Sequence, residues 1–280
     1  MPNETSGTFW DWIDRHVPAE LSERVDRAAH GINAYGYDKW GFSPSAAKRS
    51  LLVSEFLYRR YFRVQTHGIE RVPEGRGLLI GNHSAQMAYD GMMVATAMLL
   101  KAEPPRAVRA MIEKFFQLQP LVNVFLARNG QLTGLPENCE RLLRADELIL
   151  VFPEGAKGGG KVWRDRYKLF DFGTGFMRLA LKTRSPITPF AFIGGEEACA
   201  ALVDIKPLAR LFGFPYFPLT PTRVPLPLPA RCSIYFGEPL RFEGTGDEED
   251  AEIIAKVNIV KEQVAALIRR GLSERKGVFF

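Results

Sequence analysis

Hydrophobic and polar residues follow a helical pattern in the first part of the chain. After Pro18, apolar residues recur at helical spacing and form one stripe, at Leu21, Val25, Ala28, Ala29 and Ile32. A second segment, 46–62, is apolar nearly all round and ends in arginines at positions 59, 60 and 63. An apolar body with a cationic end suits a membrane surface, although the same apolar residues would also suit packing against a core. We therefore predict an N-terminal helical arm over residues 1–63 that associates with a membrane.

From residue 64 onward the pattern changes to short apolar runs separated by turns and helices, which is typical of an α/β domain. The predicted strands are 77–80, 108–112, 148–152, 187–193 and 232–236. The predicted helices between them include 91–101, 137–145 and 174–183. A longer apolar stripe over 253–268, with an acidic entry and a basic exit, predicts a C-terminal amphipathic helix. The expected fold is α/β, with a single mixed-sheet domain over 64–280 flanked by helices.

Charge narrows the class of partner. The 280 residues carry a formal net charge of +5, with a pI near 9.1, which favours an anionic partner without choosing among nucleic acid, anionic lipid and a phosphorylated small molecule. Between Asp204 and Glu238 there is no acidic residue, and cations are interspersed there with aromatic residues and prolines. That composition favours a lipid surface over nucleic acid. The predicted membrane contacts are Arg210, Phe212, Phe214, Tyr216, Phe217 and Arg223.

The location expected from the sequence is cytoplasmic and peripheral, on the inner face of the membrane. The start of the chain is polar and shows no signal peptide. The apolar stretch 85–100 is interrupted by Asp90 and is shorter than the roughly 20 apolar residues that cross a bilayer. Three scattered cysteines, in no C-x-x-C pair, indicate neither a disulfide framework nor a zinc site.

The first candidate for chemistry is a histidine at the end of a predicted strand. His83 follows strand 77–80, and the carboxyl edge of an open α/β sheet is where ligands bind. Asp90, seven residues later, is costly to bury unless another group pairs with it. If His83 lies in a loop before a helix and Asp90 in its first turn, the carboxylate can orient the imidazole as a general base. A histidine satisfied in a turn and an unrelated helix-start aspartate is the alternative that these two residues leave open.

A second strand end carries Glu154 and a glycine-rich, cationic loop. The strand 148–152 runs into Pro153, Glu154 and Gly155, followed by Lys157 and Lys161. The run 155–161 fits the phosphate-loop spacing G-x-x-x-x-G-K, but a valine follows where a serine or threonine must reach magnesium. A nucleotide enzyme is therefore a weak alternative. No G-x-S-x-G elbow is present, which argues against a serine hydrolase of the α/β type.

Four ordered blocks resemble those of the lysophospholipid acyltransferase family, which includes the glycerol-3-phosphate and 1-acylglycerol-3-phosphate acyltransferases and their diacylglycerol-acyltransferase-like relatives. The resemblance runs from about residue 64 to 240. The blocks are Asn82-His83 with Asp90, Arg128-Asn129-Gly130, Phe152-Pro153-Glu154-Gly155, and Ile187-Thr188-Pro189-Phe190. Six residues separate the histidine and the aspartate here, against the family's usual four, and Ala156-Lys157 stands where Thr-Arg is commoner.

The resemblance implies direct acyl transfer without a covalent acyl-enzyme. His83 would deprotonate the acceptor hydroxyl, which attacks the thioester of acyl-CoA or acyl carrier protein, while Glu154 and Gly155 position the acceptor. Arg128 and Lys157 would hold a phosphate. It implies no cofactor or metal beyond that co-substrate. The implied partners are a lysolipid or glycerolipid acceptor and an anionic membrane, with no nucleic acid. A catalytically inactive lipid-binding protein of the same fold, in which the longer histidine-to-aspartate gap spoils the pair, is the alternative.

Overall fold

The computed structural model describes residues 9–84, 88–212, 216–220 and 226–279. Within those ranges the strands are β1 (Gln65–His67), β2 (Gly77–Gly81), β3 (Val108–Ile112), β4 (Leu132–Thr133), β5 (Leu148–Val151), β6 (Ile187–Ile193), β7 (Val203–Asp204), β8 (Pro218–Leu219) and β9 (Ser233–Phe236). The α-helices in the same ranges are α1 (Phe9–His16), α2 (Ala19–Ala28), α3 (Pro44–Phe56), α4 (Tyr89–Lys101), α5 (Val122–Arg128), α6 (Pro136–Arg144), α7 (Ala156–Gly159), α8 (Gly175–Thr183), α9 (Gly195–Ala198), α10 (Lys206–Phe212) and α11 (Asp250–Glu274). A π-helical turn, Leu57–Tyr61, continues α3.

One mixed sheet organises the fold, in the order β1-β9-β6-β2-β5-β3-β4. The five strands from β6 to β4 are parallel, whereas β9 pairs antiparallel with β6 and parallel with β1. The central strand β2 is buried along its whole length. Such continuous apolar runs are expected where helices cover both faces of a parallel sheet.

Two apolar layers cover the two faces of the sheet. On one face α2, α3 and α4 pack together with side chains of β6 and β9. On the other face α6, α8 and α11 share a second cluster. The buried stripe of α11 consists of Ile253, Val257, Val260, Val264 and Ile268, so the helix presents one apolar face to the sheet.

The α/β fold predicted from the sequence is confirmed. The strands predicted at 108–112 and 187–193 have those bounds in the structure, and the other predicted strands and helices differ by a residue or two at their ends. The C-terminal helix is longer than its apolar stripe, because acidic residues begin it at Asp250 and it continues to Glu274. The segment predicted as one helix over 46–62 is α3 followed by the π-helical turn.

The N-terminal helices pack against α4. The Arg24 guanidinium donates from Nε to the carbonyl of Leu99 at 2.7 Å. Leu51 of α3 is buried in the same core cluster as residues of α4, while Val53 and Phe56 on the same helix are exposed. The helix therefore buries one face in the protein and presents a second apolar face outward. The division of the chain at residue 63 and the membrane role of its first part stay predictions.

Across the described part of the chain, no helix combines the length and the apolar character that crossing a membrane requires. The three cysteines are free and buried. Burial raises the pKa of the Cys139 thiol to about 11. That thiol is therefore neutral near pH 7, as in a buried structural cysteine.

Candidate active site

The site lies where two parallel strands end at the same edge of the sheet. β2 and β5 are adjacent and parallel, with Ile80 opposite Val151. His83 comes two residues after β2, and Glu154 three residues after β5. Their proximity follows from the topology, because parallel strands deliver their carboxyl ends to one edge.

His83 and Asp90 form a hydrogen-bonded pair. The imidazole Nδ1 lies 2.7 Å from Asp90 Oδ2, and the Asp90 side chain is fully buried. His83 lies in the loop after β2, and Asp90 is the second residue of α4. A loop before the helix and an aspartate in its first turn are the arrangement that a pair separated by six residues requires. An ionised carboxylate only accepts hydrogen bonds, so Nδ1 carries the proton and Nε2 is left as the basic nitrogen.

The Asp90 carboxylate is held in place by backbone donors. Oδ2 accepts from the amide of Ser84 at 2.8 Å, and Oδ1 accepts from the amide of Gly91 at 2.8 Å. Asp90 lies in the first turn of α4, where the helix dipole also favours negative charge. These donors offset the cost of burying a carboxylate that has no exposed surface of its own.

Glu154 supports the loop that carries the histidine. Its Oε1 accepts from the amide of His83 at 3.2 Å, and its Oε2 accepts from the amide of Phe170 at 2.8 Å. Lys161 Nζ lies 2.7 Å from Oε2, and both side chains are buried. Both carboxylate oxygens thus have protein partners. This geometry supports a positioning role for Glu154 on the His83 backbone.

Apolar and amide contacts fix the histidine from its other sides. The Phe152 ring stacks on the imidazole, with centroids 4.4 Å apart and planes 14° apart. The Asn82 side chain is fully buried, donates to the carbonyl of Phe192 at 3.0 Å and accepts from the amide of the same residue at 2.8 Å. Asn82 therefore ties the end of β2 to β6 immediately before His83.

Helix α7 closes over the imidazole. A Cβ atom on Gly159 would lie 2.9 Å from His83 Nε2 and 2.9 Å from the Tyr216 hydroxyl. Only a glycine permits this approach, because real Cβ contacts are essentially never that short. Gly155, which begins the turn, has φ +57° and ψ −151°, a backbone conformation essentially restricted to glycine.

Tyr216 thus reaches the basic side of the histidine. Burial, followed by the negative charge of Asp90, raises the pKa of the Tyr216 phenol well above its usual range. The hydroxyl therefore stays protonated throughout the neutral range and can donate a hydrogen bond.

A second buried carboxyl group lies near the Glu154–Lys161 pair. The Glu196 side chain in α9 accepts from the amide of Tyr167 at 3.0 Å. Burial raises the pKa of Glu196 to about 8, an effect that Lys161 partly offsets. This group is therefore largely protonated at pH 7.

The comparisons with known proteins agree with this geometry. The model of the Acyltransferase family matches residues 63–193, the segment that holds His83, Asp90 and Glu154. An uncharacterized protein of Mycobacterium tuberculosis is 36% identical over 94% of this chain and 78% of that protein. The chain belongs to the acyltransferase family. It is an enzyme of that family, an O-acyltransferase, as the resemblance predicted.

One further sequence relative and one solved structure are similar to this acyltransferase. A protein of Gallus gallus described as a "DGAT1/2-independent enzyme synthesizing storage lipids" is 25% identical over 75% of this chain and 64% of that protein. The solved 1-acyl-sn-glycerophosphate (LPA) acyltransferase PlsC of Thermotoga maritima has a TM-score of 0.54 and 16% identity over 83% of each chain. The second match shows that the acyltransferase shares the PlsC fold.

The two cations predicted to hold a phosphate lie in different surroundings. Lys157 is exposed on α7, directly before Gly158 and Gly159, the residues that close over His83. Arg128, at the end of α5, has its guanidinium carbon 3.5 Å from the centre of the Tyr37 ring and donates to the carbonyl of Gly41 at 3.2 Å. Lys157 is thus beside the site, whereas the contacts shown for Arg128 are with the N-terminal segment.

The predicted membrane contacts are only partly described. Phe214 and Arg223 lie outside the described residues, and the structure does not describe the side chain of Phe212. Arg210 is exposed, and the Phe217 amide donates to Asp204 at 2.9 Å. Tyr216 packs on Gly159 and Gly160, beside His83.

Two residues of the site were not recognised in the sequence. In the sequence, Lys161 belongs to an incomplete phosphate loop, and Tyr216 is one of several aromatic residues in a cationic stretch. The sequence does offer one indication of the role of Lys161. Glu154 follows a buried strand, and a buried carboxylate requires a partner, which a nearby lysine can supply. Nothing in the sequence around Tyr216 distinguished it from Phe214 or Phe217.

Proposed function

We propose that this acyltransferase moves a fatty acyl group from a thioester to a hydroxyl of a lysophospholipid or glycerolipid at a membrane surface. The observation that carries the proposal is the 2.7 Å contact between His83 Nδ1 and buried Asp90. Such a pair leaves Nε2 free to act as a general base.

The reaction follows from the two nitrogens of His83. Nε2 accepts the proton of the acceptor hydroxyl as that oxygen attacks the thioester carbonyl. The carbon–sulfur bond then breaks, and the imidazolium returns the proton to the departing thiolate. Asp90 stabilises the imidazolium between these steps. The proposed route needs no metal or other cofactor, because the enzyme supplies only a base and its orienting carboxylate.

The substrates are inferred from the family and its relatives. An acyl donor in thioester form, acyl-CoA or acyl carrier protein, fits a direct transfer. A glycerolipid acceptor is supported by the names of the Gallus gallus and Thermotoga maritima proteins. We assign phosphate binding to Lys157 on α7 and to Arg128 at the end of α5; the exposure of Lys157 beside the site supports its role.

We place the enzyme on the surface of a membrane, on its cytoplasmic side. The basic stretch around Arg210 and Phe217 and the outward face of α3 support this placement. Cationic and aromatic residues at such positions favour an anionic bilayer.

Two alternatives lose their original support. An inactive lipid-binding protein was considered because the gap between His83 and Asp90 is long, yet the pair is formed. A nucleotide enzyme would need Lys161 to reach phosphates, yet that amine is buried against Glu154.

The test is a thiol-release assay with palmitoyl-CoA and a panel of lysophospholipids, monoacylglycerols and diacylglycerols. We expect release that depends on one acceptor class, with the acylated product identified by mass spectrometry. Acylated protein in place of acylated lipid would contradict direct transfer. Absence of acceptor-dependent release with both acyl-CoA and acyl carrier protein donors would contradict the proposed function.

A further inference from the structure

The chain after β3 carries an unusually apolar and exposed surface. It begins with the 3₁₀ turn Lys114–Leu118 and continues through α5, none of whose residues is buried. Leu118 is 78% exposed, Leu121 83% and Phe125 58%. The exposed large apolar side chains of this surface are Phe116, Leu118, Leu121, Val122, Val124 and Phe125. We call these six residues the 116–125 surface.

Isolated exposed apolar residues are ordinary, but six within ten positions form a patch that marks an interaction site. The carboxyl end of β3 points to the same sheet edge as His83, because β3 and β5 are parallel. Glu113, the residue before the turn, has its Oε1 3.5 Å from the point where a Cβ on Gly155 would lie. The surface therefore begins beside the loop that closes over the catalytic histidine.

The charges around the 116–125 surface indicate which partner binds it. Between Glu113 and Glu137 the sequence has no acidic residue, and Lys114 is an exposed cation where the surface begins. Lys157, on α7 beside Gly155, adds a second exposed cation. An apolar patch with a cationic rim complements a bilayer that contains anionic lipid, where apolar side chains enter the acyl region and ammonium groups meet phosphates.

We propose that the 116–125 surface inserts into an anionic lipid bilayer and brings the site to the membrane. The role of this membrane contact rests on the proposed function. If the acceptor is a lipid, it would then enter the site beside Gly155 directly from the bilayer. It adds a membrane contact to the one proposed for the stretch around Arg210 and Phe217.

The experiment compares vesicle binding by the wild-type protein and by a Leu118→Ser/Leu121→Ser variant. Co-sedimentation uses vesicles of phosphatidylcholine with phosphatidylglycerol. We expect the variant to bind at least about tenfold more weakly, because serine at these two positions removes the apolar surface that leucine would bury in the bilayer. Lys114→Gln should weaken binding about fivefold on these vesicles and leave binding to pure phosphatidylcholine unchanged.

The matched control is Ile254→Ser/Ile259→Ser on α11. These isoleucines are 47% and 49% exposed, and α11 packs on the other face of the sheet from α4. The control should bind vesicles like the wild-type protein. Equal loss in the control and in the test variant would contradict the proposal, because any exposed apolar residue would then serve.

Activity separates this inference from the proposed function. On a short-chain acceptor dissolved as monomers, the Leu118→Ser/Leu121→Ser variant should release thiol at the wild-type rate. If the wild-type protein releases no thiol but the binding pattern is as expected, the proposed function fails and the membrane surface stands. Unchanged vesicle binding, or a change in oligomeric state on gel filtration with no change in vesicle binding, would overturn the inference.

Discussion

The imidazole of His83 and the carboxylate of Asp90 are joined by a 2.7 Å hydrogen bond, although six residues separate them in the sequence. The contact forms because a loop precedes α4 and Asp90 occupies the first turn of that helix. Two residues seven apart on one continuous helix would lie about 10 Å from each other along its axis. The longer gap is therefore compatible with a formed pair.

Asp90→Asn should lower kcat by about 10²- to 10⁴-fold, because an amide does not hold the Nδ1–H tautomer or stabilise the imidazolium. The variant keeps an oxygen that can accept one of the two backbone hydrogen bonds, so the fold should persist. Thiol release measures kcat, and circular dichroism confirms folding. A folded Asp90→Asn protein with wild-type kcat would remove Asp90 from the mechanism.

Lys161→Met should destabilise the protein by about 3 to 5 kcal/mol, because it leaves the Glu154 carboxylate buried without its partner. The double variant Glu154→Gln/Lys161→Met should regain much of that stability, since no unpaired charge remains. Urea unfolding measures both. A single variant as stable as the double variant would show that the ion pair does not hold this loop.

Gly159→Ala should lower activity by about 10²-fold, because a misplacement of about 1 Å in a catalytic group has an effect of that size. The new methyl group would lie 2.9 Å from both His83 Nε2 and the Tyr216 hydroxyl. Gly175→Ala is the matched control, since a Cβ there meets no atom within 4 Å. We expect that control to keep full activity and to gain up to about 1 kcal/mol of stability. Equal activity of the two variants would contradict the close approach of α7.

Glu196 should make stability fall as pH rises. Its folded pKa, about 8, lies above the ordinary value of 4.5, so the folded state holds the proton that the unfolded state releases. Stability therefore declines between about pH 4.5 and pH 8, and Glu196→Gln removes that decline. The stability of Glu196→Gln relative to wild type should increase steadily from pH 5 to pH 8 in urea unfolding.

Glu140→Gln provides the control for this pH effect. Hydrogen bonds from Lys182 and then Arg144 lower the pKa of Glu140 below its ordinary value of 4.5. Its contribution to folding stability is therefore lost only as the pH falls below that value. The difference between Glu140→Gln and wild type should stay constant from pH 5 to pH 8. A constant difference for Glu196→Gln over the same range would contradict the raised pKa.

Much of the fold could be predicted because the sheet is buried on both faces. Short apolar runs such as 148–151, which are too short for a buried helix, then indicate buried strands, and the strand ends locate the edge where His83 and Glu154 meet. Helix α11 was equally clear, since its apolar stripe and its acidic start are local features of the sequence.

The rest of the site depends on contacts between distant segments, which no local pattern encodes. Tyr216 lies beside His83 because it packs on Gly159 and Gly160, which are distant from it in the sequence. The 116–125 surface was not predicted either. Its apolar residues resemble those of a buried helix, and only the packing of the described residues shows that none of the residues of α5 is buried.

The role of His83 is tested most directly by thiol release by His83→Ala beside His30→Ala, since His30 is an exposed histidine whose imidazole lies 3.2 Å from Glu147. Both proteins are assayed with the same donor and acceptor after their thermal unfolding has been compared. We expect His83→Ala to lose at least about 10²-fold of the acceptor-dependent rate and His30→Ala to retain it. Wild-type release by a folded His83→Ala protein would show that another group removes the proton.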